Sequence, residues 1–84
     1  MKTYTITLTK IEDLKNFVKG ISKFDFPINV SSINRSAVYD AKSIIALLSL
    51  DLSLPICITP YTTDIDKLTE FTALIKDYLV KDNG

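Results

Sequence analysis

Thr3-Tyr-Thr-Ile-Thr-Leu-Thr-Lys-Ile-Glu-Asp-Leu-Lys-Asn-Phe-Val-Lys-Gly-Ile21 changes its hydrophobic period partway along, and that change decides the fold. Tyr4, Ile6 and Leu8 alternate with Thr3, Thr5, Thr7 and Thr9, which describes a strand with one covered face and one wet face. From Ile11 the apolar residues recur every three or four positions, at Leu14, Phe17, Val18 and Ile21, with Lys15, Asn16 and Lys19 opposite. That spacing predicts an amphipathic helix. Thr9-Lys10-Ile11-Glu12 fits a capping box at its start, in which Thr9 and Glu12 satisfy each other's free amides.

The same alternation of periods continues to the end of the chain. Ile28-Asn29-Val30-Ser31 follows Phe26-Pro27 as a second strand, Asn34-Arg35 is a turn centre, and Ser36-Ala37-Val38-Tyr39 is a third strand. Asp40-Ala-Lys-Ser-Ile-Ile-Ala-Leu-Leu-Ser-Leu50 predicts a short helix capped by Ser43. Leu52-Ser53-Leu54-Pro55 connects it to a fourth strand in which Ile56 and Ile58 alternate with Cys57 and Thr59, stopped by Pro60. Thr62-Thr63-Asp64 caps a last helix with Ile65, Leu68, Phe71, Leu74, Ile75, Tyr78 and Leu79 inward, and Lys81-Asp82-Asn83-Gly84 is expected to fray. The element order is βαββαβα, an α+β fold built as a two-layer open-faced sandwich with the helices on one side of the sheet.

Composition bounds the function. The 84 residues, 46% hydrophobic with only two glycines and three prolines, make one small domain spanning 1–84 with a single core. Ten basic and ten acidic residues cancel, which argues against nucleic acid as a partner. The N-terminus lacks the apolar core of a secretion signal, and no apolar run approaches the roughly 20 residues of a membrane span, so a cytoplasmic protein with no membrane partner is expected. There is no histidine and one cysteine, Cys57. A zinc, copper or haem site would lack its usual ligands, and a Ser-His or Cys-His nucleophile pair cannot be assembled, so the expectation is no metal, no cofactor and no enzyme.

Two local motifs carry a resemblance. Ser22-Lys23-Phe24-Asp25 ends the first helix, and Lys42-Ser43-Ile44 leads into the short helix that carries Leu48-Ser49-Leu50. With the length and the element order, they make the chain resemble the histidine-containing phosphocarrier (HPr) family of the bacterial phosphoenolpyruvate sugar phosphotransferase system. The resemblance covers nearly the whole chain and implies four antiparallel strands in the order 1-4-2-3 with three helices on one face. About two extra residues are needed in the turn between strands two and three.

The family's activity does not carry over. Its phosphorylatable histidine belongs to a histidine-alanine-arginine-proline signature at the start of the first helix. Counting back from Ser22, the histidine position falls on Lys10 and the arginine position on Glu12, within Lys10-Ile11-Glu12-Asp13. Lysine is protonated at neutral pH and is a poor nucleophile there. Glu12, closing the capping box, would place a carboxylate where an incoming phosphate must sit.

What remains is a contact surface. Ser43 reads as an ordinary helix cap; by resemblance it is also a candidate for regulatory phosphorylation, favoured by the helix dipole and by Lys42. Ile44, Ile45, Leu47, Leu48 and Leu50 cannot all face inward from so short a helix, so Ile44, Ile45 and Leu48 are expected at the surface and, with Lys42, are a candidate interface for a protein partner, core burial being the other reading. The function expected is a non-phosphorylatable HPr-like protein acting by protein–protein contact or regulation. The alternative is a small-molecule-sensing ferredoxin-like regulatory domain, weakened by the absence of a glycine-rich loop between Leu8 and Leu14.

Overall fold

The computed structural model describes residues 1–80. In chain order it holds β1 (Tyr4–Ile6), α1 (Ile11–Ile21), β2 (Ile28–Ser32), β3 (Val38–Asp40), α2 (Ile44–Leu48), β4 (Ile56–Pro60) and α3 (Ile65–Ile75), and α3 tightens into a 3-10 turn over Lys76–Tyr78. The four strands form one antiparallel sheet in the order β1-β4-β2-β3, with the three helices on one face. The expected α+β sandwich is the one observed. The frayed tail expected at Lys81–Gly84 lies outside the described residues.

Alternation in the strands divides the sheet faces. Ile6, Ile28, Val30, Ile56 and Ile58 are almost wholly buried toward the helices, against Leu14, Phe17 and Ile21 of α1 and Phe71 and Ile75 of α3. Aromatic rings fill the space beneath the helices: Phe71 meets Phe24 and Phe26 edge-on at centroid distances of 6.0 and 6.3 Å. Gly20 allows α1 and α3 to approach, because a Cβ there would lie 2.7 Å from the Leu74 Cδ1.

Both long helices depart from expectation at the same place. Ile11 and Ile65, read as inward-facing, are 58% and 77% exposed. At 3.6 residues per turn each sits roughly a quarter-turn around from the mean direction of the residues at +3, +6 and +10, which are Leu14, Phe17 and Ile21 in α1 and Leu68, Phe71 and Ile75 in α3. The end of the last stripe differs too. Tyr78 and Leu79 lie beyond α3, where the chain turns to close the β1 edge: Thr7 N–H donates to the Tyr78 carbonyl at 2.9 Å and Val80 N–H to the Thr5 carbonyl at 3.0 Å. β3 begins at Val38, later than expected, because residues 33–37 form the turn. Within it Arg35 takes a left-handed φ of 57° and its N–H donates to the Ser32 carbonyl at 2.8 Å.

Candidate functional site

The segment from Asp40 to Leu50 is a tight connection followed by a five-residue helix. Ala41, fully buried, pins it to the sheet through an N–H donated to the Ile28 carbonyl at 2.8 Å. Asp40 Oδ1 accepts from the Lys42 N–H at 2.9 Å, and the Asp40 carbonyl accepts from the Ser43 N–H at 3.1 Å. Ser43 then takes extended dihedrals and its Oγ accepts from the Ala46 N–H at 3.2 Å, so it caps α2 as its residue type suggests.

The apolar residues of α2 divide around the axis. Leu47 is fully buried, and Ile44 is partly buried against the core, as is Leu50 just beyond the helix. Ile45 is 79% exposed and Leu48 53% exposed. Of the three residues expected at the surface, two therefore form an outward apolar pair and Ile44 serves chiefly as packing. The reason is geometric: with Leu47 inward, Ile45 lies about 200° away and Leu48 about 100° away around the helix.

Lys42 departs from the expected interface. Its ammonium donates to the Phe24 carbonyl at 2.7 Å and the Phe26 carbonyl at 2.9 Å. These carbonyls belong to the loop between α1 and β2, which has no secondary-structure partners for them, and a partly buried ammonium satisfies them. The cation is thus turned back into the fold and is not free to receive a phosphate at Ser43. The same loop is held from the other side by Lys67, whose ammonium lies 2.7 Å from Asp25 Oδ1. That contact holds the Asp25 carboxyl below the usual carboxylate range and raises the Lys67 ammonium.

At the start of α1 the capping box does not form. The N-cap is Lys10, one residue later than expected, and no side chain caps the helix. A lysine has donors only and cannot accept from the amides ahead of it. Glu12 and Asp13 instead lie exposed or half-exposed in the first turn, where their charge suits the positive end of the helix without a hydrogen bond. Glu12 therefore opposes an incoming anion by charge alone.

Cys57, expected to point outward, does lie on the sheet face away from the helices, yet it is 5% exposed. Among the described residues no three side chains of metal-ligating type come together, and no helix is long and apolar enough to cross a membrane. Compared with protein-family models, with curated proteins and with solved structures, the chain gives no match.

Proposed function

We propose that this chain is a non-catalytic, HPr-like interaction protein of the bacterial cytoplasm, related to the sugar phosphotransferase system but unable to carry phosphate on histidine, which contacts a protein partner through the surface of α2. The observation that carries the reading is the outward pair Ile45 and Leu48 on a helix whose other apolar residues pack inward. Exposed neighbouring large aliphatics on so short an element have no role in the core and suit a docking surface. The strand order agrees with the one the resemblance implies. The lack of histidine removes the phosphoryl acceptor, and Lys10 with Glu12 occupies the positions of the signature.

On this reading Ser43 is first a helix cap, and a regulatory phosphate there would act by adding charge beside Ile45 and Leu48 rather than by pairing with Lys42. The test is affinity capture from the native cytoplasm with wild type and Ile45→Asp. Loss of a specific partner by a variant that melts at the wild-type temperature supports docking. Equal capture by both rejects it.

A further inference from the structure

The helix-free face of the sheet carries a built hollow. Antiparallel register sets Ser31 between Val38 of β3 and Cys57 of β4, and sets Asn29 between Asp40 and Thr59. Small side chains in the middle of these rows leave a trough of about 260 Å³, lined by Asn29, Ser31, Arg35, Val38, Cys57 and Thr59 among others. Ser31 is 8% exposed although it sits on the open face, and Arg35 from the β2–β3 turn joins it in lining the hollow. Thr59 is already committed, its hydroxyl lying 2.8 Å from that of Thr3. The Ser31 hydroxyl, the Asn29 amide and the Arg35 guanidinium have no hydrogen-bond partner among the described residues, where the ion pair is Lys67–Asp25. Among the described residues no buried side-chain oxygen or nitrogen is left without a partner, so what remains exposed of Ser31 is its hydroxyl, open to the hollow beside the Arg35 guanidinium.

We infer that this hollow binds a small hydroxylated monocarboxylate, with Arg35 holding the carboxylate and Ser31 and Asn29 the hydroxyls. A guanidinium presents paired N–H donors that match a carboxylate. A serine hydroxyl and an asparagine amide each donate and accept, which is the requirement for an alcohol. Val38 supplies an apolar wall for the carbon chain. Arg35 is the one cationic side chain of the lining, and Asp40 stands across from Asn29, so a singly charged acid suits these side chains better than a phosphate dianion. The site faces away from α2, and its ligand does not depend on the docking reading.

The experiment is an amide chemical-shift titration of the whole chain with sodium gluconate, and separately with glucose, acetate and inorganic phosphate. Gluconate should shift the amides of Asn29, Ser31, Arg35, Val38 and Cys57 saturably. Arg35→Gln should weaken it about tenfold or more, with Arg35→Lys recovering part of the loss. Ser31→Val should weaken gluconate while leaving any acetate response unchanged. The assignment is overturned if these amides show no saturable shift, if Arg35→Gln and Ser31→Val both bind like wild type, or if acetate or phosphate binds as tightly as gluconate.

Discussion

The Lys42 ammonium lies 2.7 Å from the carbonyl oxygen of Phe24, and through this contact α2 is tied to a loop eighteen residues earlier in the chain. With the second bond, to the Phe26 carbonyl, it replaces the backbone partners that an irregular loop lacks. Lys42→Met keeps the aliphatic stem and removes both donors, so it should cost roughly 2–3 kcal/mol. Urea denaturation measures this, and a cost no larger than that of Lys23→Met would show that the carbonyls find water at no penalty.

Ile45 and Leu47 are two residues apart on α2 and should respond in opposite ways. Ile45→Asp should change stability by no more than about 0.5 kcal/mol, as exposed substitutions do. Leu47→Ala should cost about 2–5 kcal/mol because it empties a fully buried site. Thermal melts of the two variants separate surface from core directly.

Ser43 acts on the helix through one hydrogen bond. Ser43→Ala should lose about 1 kcal/mol, whereas Ser43→Asp should be nearly neutral because aspartate also accepts from the first-turn amides. A Ser43→Asp variant as unstable as Ser43→Ala would mean that the hydroxyl is needed for something other than capping.

The Asp25–Lys67 pair gives a signed pH dependence. Asp25 has a folded pKa below its ordinary 3.8, so its contribution is fully present above that value and is lost as the pH falls through the folded one. Lys67 is raised above 10.5, so its share is present below that value and disappears as the pH rises through the folded one. The stability difference between wild type and Asp25→Asn should therefore be widest near neutrality, shrink in acid and in strong base, and shrink with added salt because both side chains are exposed. Melting curves at several pH values test this, and a difference that persists undiminished in acid contradicts it.

Phosphoenolpyruvate with Enzyme I should leave the wild-type chain unmodified, since no histidine exists to accept the phosphoryl group. Lys10→His alone should accept little, because Glu12 and Asp13 place negative charge in the first turn of α1. Adding Glu12→Gln and Asp13→Asn should raise the yield. Equal acid-labile phosphate on the single and triple variants would show that first-turn charge is not the barrier.

The periodicities by themselves determined the element order and the two-layer class, because an alternating strand and a 3.6-residue stripe can each bury only one face. The 1-4-2-3 strand order came from the resemblance rather than from any local pattern. The inventory of residue types also determined, without any coordinates, that phosphohistidine chemistry has no acceptor here. Which apolar residues reach the core was decided only in three dimensions. Ile11 and Ile65 fit their stripes by spacing but sit a quarter-turn off the buried direction, and Ile44 and Ile45 are neighbours with opposite fates. The direction of a long polar side chain was equally invisible: Lys42 beside a serine reads as a surface cation until the loop carrying Phe24 and Phe26 folds against it. The capping box at Thr9 failed because the N-cap falls one residue later, on Lys10, whose side chain cannot accept from the first-turn amides. Asn29 and Ser31 were marked by alternation as a wet strand face, but their hollow depends on the turn that brings Arg35 to its lining and on β3 and β4 lying on either side of β2. Local patterns are set by neighbours in sequence, whereas burial, reach and pairing are set by neighbours in space that the sequence places far apart.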